Sequence, residues 1–178
     1  MLFGNFTMKE DKNRISWCWR QKSGIKLEQP NDNLCNVYVK KAMGSLNMLE
    51  SAVEKKEINW IPTMAYYARY FSFYALLQKC GIKSEIHDCT ISLMYFLFVE
   101  EKLIEEQFYK ELLLAKELRV ETQYYVTNDT ELAKIIRYSE SARIFVLKME
   151  EVIENITKSQ IKNLRSKLVS TSPRYHVK

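Results

Sequence analysis

Two histidines, His87 and His176, are all this chain offers for proton transfer near neutral pH. A Ser-His-Asp or Cys-His site has almost nothing to draw on. No G-x-x-x-x-G-K-[ST] and no G-x-G-x-x-G occurs, so neither phosphate loop is present. A di-iron bundle needs Glu-x-x-His pairs, and none is found. Cys80, His87 and Cys89 fall short of the four ligands of a zinc site, at a spacing that matches no known type. No metal or cofactor is expected.

The charged groups among apolar neighbours are more informative. Between Ala65 and Leu77, 11 of 13 residues are apolar or aromatic, and the exceptions are Arg69 and Ser72. An arginine there is costly unless it is paired or faces a cavity. Either Glu50, Glu54 or Glu117 neutralises Arg69 inside the fold, or the side chain faces a polar cleft. His87 also has two readings. It either simply opens a helix, or lines a groove at a helix N-terminus, where backbone N–H groups favour an anion such as phosphate. From Thr157 onward there are six Lys/Arg and no acid, which leaves 21 basic against 22 acidic side chains before it. The basic character thus sits in a C-terminal tail. There Lys158, Lys162, Arg165 and Lys167 either hold a phosphate backbone by charge or are simply solvated.

These groups need a scaffold, and the sequence describes one. The run WIPTMAYYARYFSFYALLQKCG, Trp60 to Gly81, is apolar on every face, so it must be surrounded by other helices or by lipid. Its apolar part is short of the ~20 residues of a span and contains Arg69, which favours a central helix in a soluble bundle. Pro62 suits its first turn and Gly81 its end. Leu34, Tyr38, Ala42, Leu46, Leu49 and Val53 mark an amphipathic helix before it. A second apolar helix is expected from about Asp88 to Glu100. Phe108, Leu112, Ala115, Leu118 and Thr122 mark another, ending near Tyr125. One long helix then carries Leu132 to Ile156, after a turn in which Asn128 and Glu131 have capping-box spacing. The expected fold is all-α: an antiparallel up-and-down bundle of about five helices over 34–157. An irregular N-terminal arm of 1–33, with a possible short strand, precedes it. A basic tail of 158–178 follows.

At 47% hydrophobic, 178 residues can bury a sizeable core as one domain. Four glycines and three prolines are few, which favours helices over sheet. Cys18, Cys35, Cys80 and Cys89 show no C-x-x-C spacing, and no signal peptide opens the chain. Reduced thiols in a cytoplasmic protein are the simple reading. The many aromatic rings exceed what five short helices can enclose, which predicts a homodimer.

YYARYFSFYALLQKCGIKSEIHD, then ELRVETQYYV about thirty residues on, resembles the HEPN family (higher eukaryotes and prokaryotes nucleotide-binding) in its small, stand-alone archaeal and bacterial branch. The first segment is similar to that branch's aromatic and alanine-rich helix and its connection ending at His87. Arg119 to Tyr125 is similar to the signature closing its fourth helix. ISWCWRQKSGIKLEQPNDNLCNVYVKKAMGSL is similar to the N-terminal extension of archaeal members. The resemblance covers roughly 15–157. It implies an antiparallel bundle, frequently a homodimer, often encoded beside a minimal nucleotidyltransferase, with nucleotide or RNA as ligand class. Many members are metal-independent ribonuclease toxins carrying Arg-x(4–6)-His. Here no arginine is followed by histidine at that spacing: Arg119 is followed by Tyr124 and Tyr125. A tyrosine near pKa 10 is a poor base at neutral pH. The reading is therefore a non-catalytic binding protein for nucleotide, RNA or a nucleotidyltransferase partner in a toxin–antitoxin-like pair. Candidate contacts are Arg69, His87, Arg119, Tyr124 and Tyr125. The alternatives are a ribonuclease toxin using Arg119 or Arg69 with His87 or a tyrosine, and a purely structural interaction protein.

Overall fold

Helix α3 (Ile61–Lys79) is the axis of the molecule, and 15 of its 19 residues are buried. The computed structural model describes residues 8–124 and 129–173, with side chains from 13 to 122 and from 135 onward. α3 is enclosed by α2 (Asp32–Glu54), α5 (Glu106–Tyr124), α6 (Asp129–Glu140) and α7 (Ala142–Asn155). This is why no face of it is polar. Asn31 caps α2 by accepting from the Leu34 amide. A tight connection then turns the chain back into α3, so the two helices are antiparallel neighbours. Pro62 lies in the first turn of α3, and Gly81 follows its end at φ +66°, a left-handed conformation that costs glycine nothing.

The chain continues through β2 (Ile82–Lys83) into α4 (His87–Leu93), which runs on as a π-helical segment over Met94–Val99. The fold class is all-α as expected, with corrections to its parts. The N-terminal stretch is not an irregular arm. It holds α1 (Met8–Arg20) and, as the short strand that the sequence allowed there, β1 (Lys26–Leu27), which pairs antiparallel with β2 (Lys26 opposite Lys83). Ile15 and Cys18 of α1 are fully buried, and Trp19 donates from its ring to Thr171 Oγ1. The long last helix is broken at Ser141 into α6 and α7. The stretch 158–169 is not a tail either. It is α8 (Lys158–Val169), opened by a Thr157–Gln160 capping box and seated on the core through buried Leu164 and Leu168.

Cys18 and Cys89 form a disulfide between α1 and α4, which corrects the expectation of reduced thiols throughout; only Cys35 and Cys80 are free, both buried. The partners are 71 residues apart, so no local spacing signals the bond. With it goes the support that cysteine usage gave to a cytoplasmic setting. Among the described residues, no helix is long and apolar enough to cross a membrane. The turn read at 127–130, including Asn128 and the Glu131 side chain, falls largely outside the described residues.

Candidate functional site

Tyr66, Tyr67 and Tyr70 leave α3 toward α4 and α5, and a cluster of ionisable groups gathers on their rings. His87, the first residue of α4, stacks on Tyr70 with ring centroids 4.3 Å apart. Its Nδ1 lies 2.5 Å from the Tyr66 hydroxyl. Tyr66 is completely buried, and burial above all pushes its phenol well above the ordinary range, so it keeps its proton. A buried hydroxyl needs an acceptor, and Nδ1 is the one at hand. The imidazole is thereby fixed with its remaining proton on Nε2.

Two cations approach from α5. Lys116 and Arg119 are three residues apart and share one face of that helix. The Arg119 guanidinium lies over the rings of both Tyr66 (5.4 Å) and Tyr67 (5.1 Å). Its Nε is buried and has no hydrogen-bond partner. Lys116 donates to Asp88, and Arg14 of α1 stands 4.0 Å from the same carboxylate. Burial first, then Arg119 and Lys116, lower the pKa of His87, with Asp88 opposing. His87 is therefore neutral at pH 7. The result is a neutral N–H donor and two cations, Lys116 held by Asp88 and Arg119 over the rings, beside a tyrosine wall. That set suits a phosphate oxygen.

The same geometry is poorly suited to acid–base catalysis. A general base needs a free ring lone pair, and Tyr66 occupies the one at Nδ1. A general acid needs imidazolium, which burial and two cations disfavour.

Arg69 is elsewhere and serves the fold. It is fully buried, donating to Ala65 O at 3.0 Å, Tyr138 O at 2.9 Å and Ser141 Oγ at 2.7 Å. Its ionic partner is Glu111, 3.8 Å from Nε, rather than Glu50, Glu54 or Glu117. Glu50 pairs at the surface with Arg143. Arg69 also lies over the Tyr138 ring, whose hydroxyl donates to Glu111 O. This network explains the break at Ser141: Tyr138 O turns to the guanidinium there.

The basic residues of α8 divide. Arg165 donates from one nitrogen to Glu28 O, Cys80 O and Gly81 O at 2.7–2.9 Å, clamping α8 onto the β1–β2 corner. Lys167 pairs with Glu100 and Glu101 and lies over Phe96. Both are occupied within the fold. Lys158 and Lys162 line an open groove with Leu27, Pro30 and Ile161. The side chains of Tyr124 and Tyr125 lie outside the described residues.

Of the residues singled out in sequence, the structure brings His87 and Arg119 together, although 32 positions separate them. Lys116, Asp88 and Tyr66, which complete the cluster, are not among the candidate contacts of the sequence. The signal that could have found Lys116 is its three-residue spacing from Arg119 on a helix whose opposite face is apolar.

None of the curated proteins compared with the chain matches it. The family model of the HEPN domain matches residues 36–160, from α2 into the first turn of α8. That span covers more than half of the chain and contains α3, α4 and α5, which carry the tyrosine wall, His87 and Arg119; the chain belongs to the HEPN domain family.

Proposed function

We propose that the chain binds the phosphate of a nucleotide or RNA in the cleft of Arg119, Lys116 and His87, and does not cleave it. HEPN domains are generally nucleotide- or RNA-related. The observation that carries the reading is Arg119: its guanidinium lies over two tyrosine rings beside a neutral His87, and its buried Nε lacks a hydrogen-bond partner, with no carboxylate among the described residues paired to it as Glu111 is to Arg69. The blocked Nδ1 of His87 supports binding over hydrolysis. The binding unit is a homodimer in this reading. Its support is a set of apolar side chains more than half exposed on α2, at the start of α3 and on α7: Met48 at 59%, Trp60 at 55%, Ile144 at 63% and Leu147 at 57%. A monomer rarely leaves so many large apolar groups in water on neighbouring elements.

The test is titration with AMP and with short RNA, for the wild type and for Arg119→Met. A charge-assisted hydrogen bond is worth roughly 1.5–3 kcal/mol, so AMP affinity falls by about tenfold or more in the variant. RNA incubated with the wild type and chelator stays intact. AMP affinity untouched by Arg119→Met would overturn the cleft. Chelator-resistant cleavage that disappears in Arg119→Met would replace binding with ribonuclease activity.

A further inference from the structure

A row of aromatic rings leads away from Arg119 along α3 toward α2. Tyr67, under Arg119, stacks on Phe71 with centroids 5.3 Å apart and planes 17° from parallel. Phe71 meets Tyr38 of α2 at 6.1 Å, and Tyr38 meets Tyr74 edge-on at 4.6 Å. Tyr67, Phe71 and Tyr38 are each partly exposed, so the row has a solvent side. At its far end the Lys41 ammonium lies over both Tyr38 (4.8 Å) and Phe71 (5.5 Å). Lys41 is exposed and joins no ion pair among those of the described residues, unlike Lys79, Lys83, Lys116, Lys148 and Lys167. It is a flexible cation resting on aromatic faces, a weak contact at an exposed site that a ligand displaces readily.

From this arrangement we infer that Tyr67, Phe71, Tyr38 and Lys41 form a second subsite, which takes the next base and phosphate of a single-stranded oligonucleotide whose first phosphate sits at Arg119. The inference rests on the proposed phosphate cleft and extends it from mononucleotide to strand. Cation, ring, ring and cation succeed one another in contact steps of 5.1, 5.3 and 5.5 Å between Arg119 and Lys41. An aromatic surface flanked by a cation at each end matches a strand, in which flat bases are flanked by phosphates, and a stacking surface accepts any base because every base has a π-face. Acceptance of a base moves the Lys41 ammonium off the rings and onto the following phosphate. A duplex does not fit the role, since its bases are already stacked on one another.

The experiment compares AMP with a short oligoadenylate on the full chain, by fluorescence titration over a range of salt. Wild type binds the oligomer more tightly than AMP. Lys41→Met keeps the aliphatic stem and the fold, leaves AMP affinity unchanged, and lowers the salt slope of oligomer binding by about one. Phe71→Leu lowers oligomer affinity about fivefold or more and leaves AMP unchanged. Equal affinity of wild type for AMP and oligomer, or an oligomer slope and affinity unmoved in both variants, overturns the subsite while the cleft stands. AMP affinity that survives Arg119→Met overturns the cleft, and the subsite with it.

Discussion

Arg69 and Arg119 are both arginines over tyrosine rings, yet their surroundings assign them opposite work. Arg69 has acceptors on three sides and a carboxylate at 3.8 Å, all inside the protein. Each keeps a buried Nε without a hydrogen-bond partner, but Arg119 has rings beneath it and no carboxylate among its ion pairs within the described residues. Removal of one member of a fully buried pair costs about 3–5 kcal/mol, and Glu111, with 26% of its side chain exposed, places this pair at the lower end of that range. Arg69→Met should therefore lower the urea-derived stability by about 3 kcal/mol at pH 7. Burial pushes the Glu111 carboxyl up, and Arg69 is the main opposing influence. Without Arg69 that pKa rises further, so the native state binds the proton more tightly than the unfolded chain does. The deficit of the variant consequently shrinks as pH falls toward the ordinary carboxylate range and grows as pH rises out of it. Arg69→Met with Glu111→Leu should recover part of the loss. A flat difference between wild type and Arg69→Met from pH 4 to 7, roughly the span above an ordinary carboxylate, would show that Glu111 is not the group left behind. The sequence marked Arg69 as a pairing problem correctly. It misnamed the partner because Glu111 lies 42 positions away on a helix whose rotation about its axis is set by packing.

Among the elements, those with strong period were legible and those held by single contacts were not. The positions of α2, α3 and α5 follow from their apolar spacing, with Pro62 and Gly81 marking the ends of α3. The Thr157–Gln160 capping box that opens α8 is written in the sequence too, though the basic residues after it read equally as a solvated tail. The break at Ser141 was illegible, since Ser139 and Ala142 are both buried and the apolar face runs on across it. Gly81 shows how much one residue can coordinate. An added Cβ there would stand 2.5 Å from both Arg165 Nη1 and Glu28 O, on a backbone already at positive φ. Gly81→Ala should cost more than about 1 kcal/mol and lower the melting temperature by several degrees. Gly44, mid-helix in α2, has nothing within 4 Å of such a Cβ. Gly44→Ala should instead raise stability by roughly 0.5–1 kcal/mol. Equal melting of the two variants would remove the β1–β2 corner from its role as the seat of α8.

At the scale of the whole molecule, the fold class and the family were within reach of the sequence, whereas the pairing of cysteines 71 residues apart was not. Only the packing of α1 against α4 sets that distance, and a helix was not expected there at all. The bond has a consequence for the connectivity of the molecule. From Cys18 to Cys89 the backbone is a covalent ring that contains β1, α2, α3 and β2, with α5 to α8 hanging from it as one long branch. The exposed connection at Lys55 and Lys56 lies within the ring. A single tryptic cut there opens the ring into a line but releases nothing: the oxidised protein still migrates as one chain of full mass. After reduction it parts into two pieces, the smaller ending near Lys56. Two pieces without reductant would mean that the ring is open in solution.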